Sequence, residues 1–206
     1  KDMSKFKIAV LASGSGTNFQ AIIDAVNEKR LDAEIVCLIS DRKAAYALER
    51  AKDNGIESYY FSIKKYADSD EFNHAILEVL DKYEPDLIVL AGYLKILSHE
   101  FIEKYRGKII NIHPSLIPKH CGDGFWGIKV HESVIKSGDE YSGATVHFVD
   151  EGTDTGKIII QRKIKLDEDE TAESLQKKIL NEIEHKILIE AIDKIIGGKI
   201  DEKSID

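Results

Sequence analysis

Cysteine is scarce in this chain. Cys37 and Cys121 are the only two in 206 residues, and they match neither a disulfide framework nor a metal-binding spacing. Cys37 lies in the run Ile35-Val36-Cys37-Leu38-Ile39, where a buried thiol is expected. This usage fits a reducing, cytoplasmic setting. No apolar stretch approaches the roughly 18 residues of a membrane span, so no membrane partner is expected. The N-terminus, Lys1-Asp2-Met3-Ser4-Lys5, has no signal-peptide apolar region. Met3 is the single methionine and is expected to be the natural start, behind two added residues. Positive charge is in deficit as well. A net charge of −8 argues against general nucleic-acid binding, which wants a basic face. It leaves small anions open, because backbone N–H groups at a helix N-terminus hold phosphate even on an acidic protein. The seven histidines contain no zinc pattern, so no metal is expected. Internal repeats, linkers and low-complexity segments are absent, and a single domain over 1–206 is expected.

The 43% hydrophobic content is ample for a core. Apolar runs alternate with helix-period segments, the mark of a parallel sheet covered by helices. Strands are predicted at Ile8–Ala12, Glu34–Ser40, Ser58–Phe61, Leu87–Ala91 and Lys108–Ile112. Helices are predicted from Asn18, over Ala44–Lys52, over Asp70–Tyr83, and from a Ser98 cap to near Tyr105. The pattern then changes. Ala144–Val149 and Ile158–Leu166 flank a short turn-rich stretch and are predicted antiparallel. A long helix is predicted from a Thr171 cap to Gly197-Gly198, with Leu175, Ile179, Ile183, Ile187 and Ala191 on one stripe. The expected class is α/β, a Rossmann-like open sheet with a parallel N-terminal part, an antiparallel C-terminal hairpin and a long C-terminal helix.

Three places carry chemistry. Ser13-Gly14-Ser15-Gly16-Thr17-Asn18 joins the first strand to the first helix, with two glycines, three hydroxyls and the free N–H groups of a helix start. It is neither a P-loop, since the Gly-Lys-Ser/Thr ending is missing, nor a dinucleotide fingerprint, whose third glycine would fall at Phe19. It is a phosphate cradle or simply a tight turn. Asn111-Ile112-His113-Pro114 sets an amide and an imidazole on one face of a strand end, with Ile112 turned into the core. Either serves a ligand, or Asn111 caps a turn and His113 is a satisfied loop residue. An acid–base histidine needs an orienting group. Asp154 is the candidate, with Asp150 and Glu151 as rivals; a plain turn residue is the alternative for Asp154. Asn181 and Glu184, at i and i+3, are predicted to share one helix face.

Together these residues resemble the phosphoribosylglycinamide formyltransferases (GAR transformylases) of the folate-dependent formyltransferase superfamily. The resemblance spans nearly the whole chain. It rests on Ser13 to Asn18, Pro85 to Tyr93, Lys95 to Ser98, Asn111 to Pro118, Thr145 to Val149 and Asp154 to Gly156. It implies formyl transfer from 10-formyltetrahydrofolate, a co-substrate, to the amine of glycinamide ribonucleotide in purine synthesis. Asn111 would hold the oxyanion, protonated His113 would stabilise it and pass a proton, and Asp154 would favour the charged imidazole. Gly16, Thr17 and Asn18 would hold the ribonucleotide phosphate, and Asn181 and Glu184 the glycinamide. Leu94, Lys95, Ile96 and Leu97 would line the pterin pocket, with Asn111, Asp150, Glu151, Gly152, Thr153 and Asp154 completing the folate site. The halves would be phosphate-binding over about 5–110 and catalytic and folate-binding over about 111–200. The resemblance is also read as a monomer or weak homodimer.

The sequence departs from that pattern in three places. Many members carry an arginine for the folate glutamate tail near Ser69, where this chain reads Ala67-Asp68-Ser69-Asp70, leaving Ser69, Lys64 or Lys65 to serve. Gly156-Lys157 replaces a common Gly-Pro. The glycine-rich stretch Lys119 to Gly127 is expected to form a mobile flap beside His113, or to make turns only. Formyl transfer to methionyl-tRNA or a sugar nucleotide, formylfolate hydrolysis, and a non-catalytic phosphometabolite-binding module are the competing readings.

Overall fold

In the computed structural model, which describes residues 5–203, the first apolar run becomes strand β1 (Phe6–Leu11). Met3 and its neighbours lie outside the described residues. Two units are distinguished, one through Ile110 and one from Asn111 on.

The first unit contains α1 (Thr17–Asn27), β2 (Ala33–Ser40), α2 (Tyr46–Asp53), β3 (Ser58–Tyr60), a 3-10 turn at Ile63–Lys65, α3 (Ser69–Tyr83), β4 (Leu87–Leu90) and α4 (His99–Lys104). Strand β1 pairs in parallel with both β2 and β4, and β2 with β3, giving the order β3-β2-β1-β4. The chain winds one way from β1 to β3 and resumes on the other flank of β1 with β4. Strand order therefore reverses between β1 and β4, and the loops that follow these two strands open the crevice where such sheets bind ligands. All four residues of β4 are buried, as a fully apolar central strand must be. Phe19, Ile22, Leu38, Phe72, Ile76, Leu80 and Phe101 fill the space between sheet and helices with no exposure. The caps are local chemistry: Asp68 accepts from the Glu71 N–H at 2.8 Å and Ser98 from the Phe101 N–H at 3.2 Å. Cys37 is fully buried, and burial pushes its thiol up to about 12, so it is inert.

Strand β5 (Ile109–His113) carries the chain into the second unit, which adds α5 (Ile128–Ser137), β6 (Tyr141–Phe148), β7 (Ile158–Lys165), α6 (Ala172–Ile179) and α7 (His185–Ile196). Its strand order is β5-β6-β7, and β6 and β7 are antiparallel as predicted. The ladder slips between Val146 and His147, an irregularity of the kind that re-aims a side chain. Gly156 is needed there for close approach: a Cβ at this position would fall 1.6 Å from the Phe148 carbonyl oxygen.

The structure adds one element and refines another. Helix α5 was not foreseen, although Val130 and Val134 are buried on one face and Gly138 closes it in the left-handed conformation (φ 69°). The long C-terminal helix is not continuous in type. A π turn, Leu180–Glu184, separates α6 from α7. Among the described residues, no helix is long and apolar enough to cross a membrane.

Candidate active site

The second unit brings Asn111, His113 and Asp154 together across some forty positions of sequence. Side-chain alternation along β5 turns Ile112 into the core and leaves Asn111 and His113 facing the same carboxylate. Asn111 Nδ2 lies 3.4 Å from Asp154 Oδ1, and His113 Nδ1 lies 3.6 Å from Asp154 Oδ2. His113 is only 5% exposed. The chain after His113 is pinned by Thr145, whose hydroxyl donates to the Ser115 carbonyl at 2.7 Å and accepts from the Ile117 N–H at 3.3 Å.

The ionisation of this cluster follows from burial and neighbours. Burial disfavours the imidazolium and is the largest influence on His113. The Asp154 charge and the His120 carbonyl push the other way, and the ring still rests below the ordinary histidine value. Asp154 thus acts in the direction that favours the charged imidazole, while desolvation acts more strongly the other way. Burial works to raise the Asp154 carboxyl too. There the hydrogen bond from His147, the His113 charge and the Gly122 N–H prevail, and the carboxyl is held below its usual range. The two shifts both point toward a neutral imidazole beside a carboxylate.

Asp154 occupies a left-handed conformation, φ 57°, uncommon for a residue with a side chain. Its Oδ2 accepts from the Gly122 N–H at 3.1 Å, and Thr153 donates to Asp123 at 3.1 Å. The stretch Lys119 to Gly127 is therefore stitched to the Asp150–Asp154 loop rather than standing free beside it. Asp150 is no rival partner for the imidazole. Its Oδ1 accepts from the Gly152 N–H at 3.0 Å and the Thr155 hydroxyl at 2.5 Å, which closes the loop on itself.

His147 is the residue that sequence reasoning passed over. Its Nδ1 lies 2.8 Å from the Phe148 carbonyl, so that nitrogen carries a proton. Its Nε2 stands 3.2 Å from Asn111 Nδ2 and 3.5 Å from Asp154 Oδ1. A neutral ring accepts there from Asn111, and a protonated ring donates to Asp154. The available signal was a histidine between Val146 and Phe148 in a buried strand.

In the first unit, the loop after β1 and the loop after β4 are joined by Ser13. Its hydroxyl donates to buried Asp41 at 2.6 Å and accepts from the Leu94 N–H at 2.9 Å. Gly16 sits at the N-cap of α1 with φ 75°. A Cβ at Gly16 would lie 2.8 Å from Ala47 Cβ, so the loop passes too close to α2 for any side chain. Arg50 holds the same loop by donating to the Ser15 carbonyl at 2.7 Å. Thr17 and Asn18 open the helix just beyond. Asn73 braces the Leu94–Leu97 loop: its Oδ1 accepts from the Ser98 N–H at 3.2 Å, and its Nδ2 reaches the Ile96 carbonyl at 3.5 Å and the Ser69 carbonyl at 2.8 Å. Ser69 thus belongs to the same bonded group as that loop. Leu94 and Ile96 expose apolar surface, 38% and 71%, while Leu97 is buried.

Asn181 and Glu184 both lie in the π turn. That turn opens the bonding to i→i+5; within it Asn181 is exposed and Glu184 is 7% exposed. A π turn in a helix recurs at functional sites, and here it carries a buried carboxylate.

The protein-family model described as formyl transferase matches residues 6–192. The chain is 41% identical to the phosphoribosylglycinamide formyltransferase of Bacillus subtilis over 191 residues, 93% of this chain and 95% of that protein. It is 38% identical to the chloroplastic phosphoribosylglycinamide formyltransferase of Arabidopsis thaliana, over 94% of this chain and 66% of that protein. Glycinamide ribonucleotide transformylase 1 of Symbiobacterium toebii superposes with a TM-score of 0.88 at 38% identity, over 94% of this chain and 88% of that one. The chain belongs to the formyl transferase family and, within it, to the phosphoribosylglycinamide formyltransferases.

Proposed function

We propose that this chain moves the formyl group of 10-formyltetrahydrofolate to the amine of glycinamide ribonucleotide, a step of purine synthesis, through Asn111, His113 and Asp154. The observation that carries the assignment of roles is the shared carboxylate: Asp154 meets the amide through one oxygen and the imidazole through the other.

The amine attacks the formyl carbon, a C–N bond forms, and the carbonyl oxygen becomes an oxyanion. Asn111 Nδ2 donates to that oxygen. The attacking nitrogen is now cationic and loses its proton to neutral His113. The imidazolium exists only from this point, when the Asp154 carboxylate stabilises it. As the bond to the folate nitrogen breaks, His113 returns the proton to that leaving nitrogen, and formylated ribonucleotide and tetrahydrofolate separate. A neutral resting His113 suits this sequence, because it can accept before it donates.

In the first unit, Gly16, Thr17 and Asn18 hold the substrate phosphate through helix N-terminal N–H groups and hydroxyls. Leu94 to Leu97 supply apolar surface and backbone polar groups for the pterin. In the second unit, Asp150 to Asp154 contribute folate contacts, and Glu184 holds the glycinamide amine. Ser69 stands at the folate tail. The inert Cys37 thiol fits a cytoplasmic enzyme.

The test is an absorbance assay of formyl transfer from 10-formyl-dideazafolate, run on the purified chain and on His113→Ala. Turnover that requires glycinamide ribonucleotide and collapses in His113→Ala supports the reading. Folate turnover without the ribonucleotide would assign a hydrolase instead, and ribonucleotide binding without turnover a binding module.

A further inference from the structure

Both nitrogens of His113 meet residues in the left-handed backbone conformation. Asp154 stands on the Nδ1 side, and His120, with φ 51°, stands on the Nε2 side, where its carbonyl accepts at 2.9 Å. A non-glycine residue in this region is strained and persists only where its surroundings over-determine it. Among the described residues, the other two such, Lys29 and Glu84, lie just after α1 and α3 and need no further explanation than helix termination.

The imidazole of His120 is held at both ends. Its Nδ1 lies 2.7 Å from Ser133 Oγ in α5, and its Nε2 lies 2.7 Å from Asp139 Oδ2 just beyond that helix. A neutral ring satisfies both contacts: the Ser133 hydroxyl donates to Nδ1 and the Nε2–H donates to Asp139. The side chain is 12% exposed. Formyl transfer by Asn111, His113 and Asp154 uses none of these three groups directly. Two residues further on, Gly122 donates its N–H to Asp154. One short segment therefore supplies an acceptor to the imidazole and a donor to its carboxylate partner, and His120 is the point where that segment is fastened to α5.

We propose that His120 is a positioning residue for His113. Ser133 and Asp139 fix its imidazole, the fixed imidazole maintains the left-handed backbone, and the carbonyl so placed takes the Nε2 proton of His113. The Nδ1 of His113 is then the nitrogen left with a lone pair, and it faces Asp154, which stabilises the proton once received. The consequence for catalysis rests on the formyl-transfer reading, whereas the tautomer of His113 does not.

The informative variant is His120→Gly. Glycine adopts the left-handed conformation without strain and keeps the carbonyl, so only the tether is lost. Ser133→Ala and Asp139→Asn cut the tether from the far side and leave the segment's sequence intact. Two readouts separate the outcomes. In the unligated protein, 15N NMR of the neutral His113 ring is expected to show the proton on Nε2, and to show mixed tautomers in His120→Gly. In steady-state assays, kcat is expected to fall at least about tenfold, the scale of a small misplacement of a catalytic group, with both KM values little changed. Ser133→Ala and Asp139→Asn are expected to fall between. An unchanged tautomer in His120→Gly would overturn the inference, as would an Nδ1–H ring in the parent protein. If the parent protein shows no formyl transfer, the functional reading fails while the NMR result still decides the role of His120.

Discussion

Asn111 Nδ2 and His147 Nε2 lie 3.2 Å apart, and this contact decides which way the Asn111 amide points. An amide offers an oxygen on one side and an NH2 on the other. The His147 Nδ1–H is committed to the Phe148 carbonyl, so a neutral His147 presents only a lone pair to Asn111. The NH2 therefore turns inward, with one hydrogen toward His147 and the other toward Asp154 Oδ1 at 3.4 Å, a long contact that an oxyanion would replace. Losing an oxyanion donor costs about 100- to 1,000-fold in kcat. His147→Ala is expected to lower kcat by a smaller factor, about tenfold or more, because Asn111 remains but is free to turn. The double variant with Asn111→Ala is expected to be no slower than Asn111→Ala alone, since both changes remove one device. Additive losses in steady-state kinetics would show that His147 acts independently of Asn111.

Local pattern carried much of this structure. Leu87 to Leu90 could only be a buried strand, and Ser98 and Thr171 announced their helices through their own hydroxyls. The Ser13 to Asn18 turn and the Asn111/His113 pair were visible because each is a contiguous polar interruption at a strand end. What stayed hidden depends on long-range bonding. His120 matters through Ser133 and Asp139, and His147 through Asn111, 36 positions away. The π turn at Leu180–Glu184 keeps the apolar stripe of a continuous helix, so periodicity alone could not reveal it. Helix α5 follows a run of glycines that reads as loop, and that run masked its buried valines.

Asp154→Asn separates charge from shape. The amide keeps the volume and one acceptor, so substrate KM values are expected to change little. Without the carboxylate the imidazolium formed during reaction loses its stabilising charge, and kcat is expected to fall at least about 100-fold. The pH profile adds a second check. His113 lies below its ordinary value and accepts a proton in the first step, so kcat/KM is present above its pKa and lost as pH falls through it. The Asp154 charge raises His113. Its removal is expected to move the acidic limb to lower pH, even as the plateau drops. A limb that stays in place, or moves up, would detach Asp154 from His113.

His131 links burial to acid stability. It is 1% exposed in α5, and burial, reinforced by the nearby His113, pushes its pKa down to about 4. The unfolded chain binds a proton at this histidine below about 6.5, whereas the folded chain does not until about pH 4. The stabilisation is complete above the unfolded value and is lost progressively as pH falls between the two. That interval corresponds to about 3 kcal/mol. In urea unfolding at pH 7 and pH 4.5, His131→Gln is expected to lose markedly less stability on acidification than the parent protein. Equal losses would show that His131 titrates in the folded state as it does in the unfolded one.

Gly16→Ala tests the phosphate loop of the first unit without touching a polar side chain. At φ 75° an alanine is strained, and its Cβ would lie 2.8 Å from Ala47 Cβ and 3.0 Å from Ala47 Cα. The near atoms belong to a helix and cannot swing aside, so the turn must move. Its movement displaces the first N–H groups of α1, which are the phosphate ligands in the proposed reading. A loss of about 1.4 kcal/mol in phosphate binding is roughly a tenfold rise in the ribonucleotide KM. The KM for the formylfolate and the pH profile are expected to stay close to those of the parent protein, because His113 and Asp154 are untouched. Thermal melting supplies the control: a lower Tm accompanies the strain, but assays run well below it still report the KM. An unaltered ribonucleotide KM in a folded Gly16→Ala protein would remove this loop from substrate binding and leave it as a turn that packs against α2.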